Sequence, residues 1–284
     1  MGSFEFHSEA EKFDLLNAIR LAELSKLAYE PLDQSGIYLQ KEFGFTYYKK
    51  FDCGDTQAFL VSNEGMVVLA FRGTSTLKDL GTDGKFKFTV LENKKVHFGF
   101  NQALDCVWAD LYDALCGLKA PDQPLWVTGH SLGGALATLA VDRLTDERMD
   151  VSGLYTYGQP RVGDRDFAKQ FDVKMGKSSF RFVNDEDVVT RVPPPPGFKH
   201  IGKMCFFDNK GVLYLENTLW HWFRSVSEGV ALRTAAGAAE TAIQNPNGPG
   251  DHNLDYYIRN LLKNYDIQQH APDAGTFKEY IKRV

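Results

Sequence analysis

Gly129-His130-Ser131-Leu132-Gly133 stands between a short apolar run, Leu125-Trp126-Val127-Thr128, and an alanine-rich stretch that reaches Leu144. Strand, tight turn and helix therefore follow without a spacer, the setting in which a serine is lifted onto a strained turn while flanking glycines let the backbone double back. The first amides of such a helix aim free N–H groups and a positive dipole end at whatever negative charge develops beside Ser131 Oγ. The chemistry on offer is nucleophilic attack on an acyl carbon. An incidental glycine-serine turn is the competing reading, and the strand and helix on either side weigh against it.

A serine hydroxyl needs a base, and the base needs an acid to fix its tautomer. Where this elbow carries such a set, the chain order is nucleophile, acid, base. Of the seven histidines, that order leaves His200, His221, His252 and His270. His252 follows a Gly/Pro loop and opens a stretch whose Leu254, Tyr257 and Leu261 can anchor it to a core, so its ring could overhang a sheet edge. His200 opens a strand and reads better as structural; His221 lies in an aromatic cluster, and His270 in a polar tail. His130 is too constrained by its bond to Ser131 to serve it. For the acid, Asp185, Glu186 and Asp187 follow the strand Ser179 to Asn184, and Asp208 ends the next strand; solvated loop charge is the ordinary fate of such residues. An oxyanion needs donors as well: Leu132 N–H is one, and the loop at Gly73-Thr74 is the natural source of a second.

The elements that must hold these residues can be read from periodicity. Phe13, Leu16, Ile19, Leu24 and Leu27 form a helical stripe that stops at Pro31. Met66 to Phe71 is a continuous apolar run suited to a strand covered on both faces. Phe100, Leu104, Val107, Leu111, Leu115 and Leu118 make a second long helix. Gly153 to Gly158, Ser179 to Asn184 and His200 to Phe207 read as strands, with a helix near Gly163 to Phe171 and a final one at Asp255 to Lys263. Strands alternating with helices predict an α/β fold with a mostly parallel central sheet flanked by helices. The only compositional break is Asn245 to Gly250, so residues 1–284 read as a single domain.

Composition narrows the possibilities further. At 43% hydrophobic and 24% charged residues, the chain is globular, and 32 basic against 37 acidic residues give a net charge of −5. No basic field exists to gather nucleic acid, and no run of about 18 apolar residues offers a membrane span. Met1-Gly2-Ser3-Phe4-Glu5 has no basic segment followed by an apolar one, leaving the compartment open between the cytoplasm and a processed, secreted form. The four cysteines, Cys53, Cys106, Cys116 and Cys205, lack zinc-ligand spacing and read as buried thiols. No metal or cofactor is expected, and the oligomeric state is open.

Five spaced segments resemble the class 3 (fungal-type) lipases of the α/β-hydrolase fold: Phe71-Arg72-Gly73-Thr74, Val96 to Phe100, Val127 to Ala137, Tyr157-Gly158-Gln159-Pro160-Arg161-Val162-Gly163, and Val183-Asn184 through Asp187 to Pro193-Pro194. Asp251-His252 ahead of Tyr256 also fits, so the likeness spans Val67 to Tyr257 in the family's order. The resemblance implies Ser131 as nucleophile, Asp187 as acid, His252 as base, and Thr74 with Leu132 N–H as oxyanion hole. It further implies hydrolysis of lipid esters, with a lipid-water interface as a partner. A soluble or aromatic-acid esterase, a phospholipase of the same family, and a catalytically silent binding module on this fold are the alternatives.

Two departures from the family shape the remaining expectations. Members carry a tryptophan in a short lid helix soon after the oxyanion residue, where this chain has Leu80 in Lys78 to Asp83. The cap is expected instead within 208–250, where Thr218 to Ile243 reads as helical and Trp222 and Phe223 could line an acyl pocket or meet an interface. Fungal members are also secreted and braced by disulfides, whereas unpaired cysteines make this chain look more like the bacterial branch.

Overall fold

The computed structural model describes residues 4–74, 87–215 and 250–270. Trp222, Phe223, His221, the segment 76–86 and most of the expected cap at 208–250 lie outside the described residues.

Eight strands form one sheet: β1 (Tyr47–Cys53), β2 (Thr56–Asn63), β3 (Met66–Phe71), β6 (Leu125–His130), β7 (Gly153–Tyr157), β8 (Ser179–Asn184), β9 (Lys203–Phe207) and β10 (Leu213–Leu215), in that spatial order. The strands from β3 to β9 run parallel, with Val67 level with Leu125 and Val127 level with Leu154. Antiparallel hairpins extend both edges. Two further strands, β4 (Phe88–Leu91) and β5 (Lys94–His97), make a separate hairpin.

Helices cover both faces, as a parallel sheet requires. On one side lie α3 (Phe98–Leu118), α4 (Leu132–Asp146) and α5 (Arg165–Met175); on the other lie α1 (Leu15–Leu27) and the last helix, α6 (Leu254–His270), while α2 (Leu32–Phe43) packs near β1. The unbroken apolar sequence of β3 follows from this, since all six of its residues are buried. Small residues let α4 lie close to the strands: Gly133, Gly134, Ala135, Ala137 and Ala140 are all buried. Asp14 caps α1 by accepting from Asn17 N at 2.8 Å, and Asp164 caps α5 by accepting from Phe167 N at 2.9 Å, each satisfying an amide that has no partner within its helix. Among the described residues, no helix is long and apolar enough to cross a membrane.

The expected set of buried thiols is corrected. Cys53, at the end of β1, forms a disulfide with Cys106 on α3, their Cα atoms 5.8 Å apart. The helix lies across that strand, so residues 53 positions apart in sequence meet. Cys116 is an exposed thiol, and of the four only Cys205 is a buried one. The expectation that unpaired cysteines set this chain apart from disulfide-braced members is corrected by the same bond.

Candidate active site

Ser131 occupies the turn between β6 and α4 with φ 57° and ψ −128°. A non-glycine residue there is strained by more than about 1 kcal/mol and persists only where the surroundings fix it. Its N–H donates to the Tyr157 carbonyl at 2.9 Å, which locks the turn to β7. The glycines on either side have no alternative. A Cβ on Gly129 would overlap the backbone of Gly133, and one on Gly133 would overlap the Phe71 carbonyl. The G-x-S-x-G spacing is therefore the steric condition for crossing strand, turn and helix within a few ångströms. Leu132 opens α4, so its N–H belongs to the first-turn amides that have no carbonyl one turn back. Thr74 lies half-buried in the loop after β3.

Asp187 is buried in the loop beyond β8, and His252 is buried just ahead of α6. The His252 Nδ1–H donates to the Asp187 carboxylate at 2.9 and 3.0 Å, and the Tyr257 hydroxyl donates to its Oδ2 at 2.6 Å. Val189 N–H adds a third donor at 2.9 Å. Burial works to raise the Asp187 pKa, but adjacent His252 and the bonds from His252 and Tyr257 outweigh it and hold the carboxyl below its usual value. An ionised acid on Nδ1 leaves the Nε2 lone pair of His252 facing outward as a base. Ser131 Oγ and His252 Nε2 are both buried, and neither has a hydrogen-bond partner in this conformation. Such a pair commonly tightens only when substrate is bound. Gly158, at φ 60°, closes the floor: a Cβ there would stand 2.8 Å from Asp187 Oδ2 and 2.9 Å from the His252 ring.

The other candidates fall elsewhere. Asp185 is partly exposed, and Glu186 is exposed. Asp208 accepts from Lys210 N and Val212 N and closes the turn between β9 and β10. His270 is exposed at the end of α6. His200 lies three residues ahead of β9, and its Nδ1 is buried without a partner, so it is not the fully satisfied structural histidine its sequence context suggests. Sequence reasoning took Tyr257 for a core anchor and missed its hydroxyl on the acid. It also missed His130 as a bonded partner of the site: its Nε2 lies 2.7 Å from the His252 carbonyl, and its Nδ1 2.7 Å from the Tyr29 hydroxyl. No periodicity could reveal these bonds, because each partner looks apolar or incidental in its own segment.

Three buried histidines make a prediction about acid. Burial pushes His97 down to about 4 and, with His252 adding to it, His130 down to about 3; burial and the guanidiniums of Arg181 and Arg161 hold His200 well below its usual value. The unfolded chain binds protons on all three near pH 6.5, and the native chain does not. Stability is thus full above about pH 6.5 and falls by about 1.4 kcal/mol per pH unit for each as pH drops toward its folded value. The urea midpoint should fall steeply between pH 7 and pH 5; a flat midpoint across that range would contradict the neutral, buried state of these rings.

The comparisons with known proteins point to lipases. The sequence profile of class 3 lipases matches residues 68–196. The chain is 35% identical to a lipase from Rhizomucor miehei over 161 residues, covering 52% of this chain and 44% of that one. It is 33% identical to a secreted mono- and diacylglycerol lipase from Fusarium solani over 148 residues, covering 50% and 44%. The matches thus span under half the length of these relatives. A solved triacylglycerol lipase whose catalytic centre is a serine protease triad superposes with a TM-score of 0.62 at 27% identity, covering 77% of this chain and 91% of that one. With the order of motifs, the sheet and the relatives in agreement, the chain is similar to the class 3 lipases over residues 68–196 and has the α/β-hydrolase fold.

Proposed function

We propose that the protein hydrolyses carboxylic esters, lipid esters foremost, through an acyl-Ser131 intermediate. The observation that carries this reading is the buried Asp187–His252 pair at 2.9 Å beside a serine held at φ 57°. His252 Nε2 takes the Ser131 proton as Oγ attacks the ester carbon and returns it to the departing alcohol. Asp187 holds the ring in that tautomer and offsets the charge of the imidazolium. Leu132 N–H and Thr74 receive the oxyanion, and a water activated by the same histidine releases the acid.

The lipid preference draws on the lipase relatives and on one surface feature. The β4–β5 hairpin is tied to the segment beyond β7 by His97 N to Val162 O at 2.8 Å and Asp164 N to Lys95 O at 2.9 Å, at the carboxyl ends of the central strands, where Ser131 also lies. Val90, on that hairpin, and Phe98, which follows it, are exposed at 65% and 44%, an apolar pair suited to a lipid-water boundary. A series of p-nitrophenyl esters from C2 to C16, run beside a triglyceride emulsion and a phospholipid, tests the assignment. Activity confined to C2 esters would turn the reading to a soluble esterase, and failure to react with a fluorophosphonate would end it. Thr74→Val keeps shape but removes a hydroxyl donor, and should lower kcat by about 10²-fold at nearly constant KM. A change confined to KM would assign Thr74 to substrate binding instead.

A further inference from the structure

The loop carrying the base is joined to Tyr29, which packs against the oxyanion loop, by a line of hydrogen bonds whose direction can be worked out. The His252 carbonyl only accepts, so the His130 Nε2 that lies 2.7 Å from it carries the proton. Since His130 is neutral, with its pKa near 3, its Nδ1 is an acceptor. The Tyr29 hydroxyl, 2.7 Å away, must therefore donate to it. The same hydroxyl is wedged against Gly73, where a Cβ would overlap it. One polarity thus runs from Tyr29, packed on the oxyanion loop, through His130 to the backbone of His252.

The packing leaves this line no slack. Gly73 is wedged so closely that a Cβ there would overlap the Tyr29 hydroxyl and stand 2.7 Å from the His130 carbonyl and 3.2 Å from Ser131 Cβ. The His130 and His252 rings lie 4.6 Å apart, and the Arg72 guanidinium sits 5.7 Å from the centre of the Tyr29 ring. Both Tyr29 and His130 are held in their uncharged forms chiefly by burial, so the direction of the line does not change through the neutral pH range.

We infer that Tyr29 and His130 are positioning residues: they form a directional strut that fixes the Gly73-Thr74 loop at a set distance from His252, and so align oxyanion donor and base on one reacting carbon. This rests on the roles proposed for Ser131, Thr74 and His252. Their role is to hold other groups in place; a donor displaced by a fraction of an ångström loses most of its effect on the oxyanion while substrate binding is spared.

Tyr29→Phe retains the ring, cuts the bond to His130 and removes the oxygen packed on Gly73. It should lower kcat on p-nitrophenyl esters by about 30-fold with KM within about twofold, and in a Thr74→Val background it should cost less than about threefold, because the donor it aligns is already gone. Unchanged kcat, a change confined to KM, or full multiplication of the two losses would overturn the strut. A second pair of variants works from the other end and does not depend on Tyr29→Phe folding. The side-chain amide of His130→Gln can still accept on one side and donate on the other, and should keep at least about a third of kcat, whereas His130→Leu should lose about 30-fold at constant KM. Equal losses from Gln and Leu would overturn the proposal. Ser131→Ala is the control that separates the two ideas. If it abolishes turnover while Tyr29→Phe is silent, only the strut fails; if it retains turnover, the triad reading falls and the strut with it.

Discussion

Alanine at position 131 is expected to cut ester hydrolysis by at least about 10⁴-fold while leaving the thermal melt nearly unchanged. The first half follows from chemistry, because no other side chain at the turn can form the acyl intermediate. The second follows from two local facts. Ser131 Oγ makes no hydrogen bond in the resting structure, so its removal breaks none. Alanine also keeps the Cβ, so the strain at φ 57° is the same in both proteins. Steady-state rates on a butyrate ester, beside a melting curve, check both. Turnover near that of the wild type would end the mechanism; a collapse of the melting temperature would mean that the hydroxyl has a structural role absent from the resting geometry.

The second large effect is expected at the acid. Asp187→Asn should lower kcat by about 10³- to 10⁴-fold, and Asp185→Asn should change it by no more than a few fold. Asp187 accepts from His252, Tyr257 and Val189 at once, so an amide NH₂ in its place must point at one of those donors. The imidazole then gains by moving its proton to Nε2, where it faces Ser131 and can no longer act as a base. Asp185, two residues earlier, is partly exposed and has Asp251 and Glu186 nearby in place of the histidine. Should Asp185→Asn prove the sensitive variant, the acid has been misassigned by two residues.

Some elements of the fold were legible in the sequence and others were not. Met66 to Phe71 and Ser179 to Asn184 coincide with β3 and β8 residue for residue, and all six residues of each are buried, as central strands covered on both faces require. The elbow was legible for the steric reason given by Gly129 and Gly133. By contrast, α2 begins directly after Pro31, where the first stripe had been read as stopping, and carries its own Gly36. β1, with the sequence Tyr-Tyr-Lys-Lys-Phe-Asp-Cys, has a single buried residue and is defined by pairing with β2 more than by its own pattern. Choosing among Asp185, Glu186 and Asp187 required the resemblance. The Cys53–Cys106 bridge and the Tyr29–His130 line lay beyond reach because each depends on which distant element lands where.

The strand order also bears on how the chain acquires its structure. β1, β2 and β3 are neighbours in space and in sequence, joined by hairpins within residues 47–71, so they can pair early and at little cost in loop closure. β3 then offers an open edge to β6, and each later strand through β10 adds to the one before it in the chain. The Ser131 turn is pinned only when Tyr157 of β7 arrives, and the site closes only when residues 252–257 dock across β8. Growth along the sheet therefore follows synthesis from the N-terminus, and the reactive constellation assembles near the end, after the scaffold that holds its strained serine is in place.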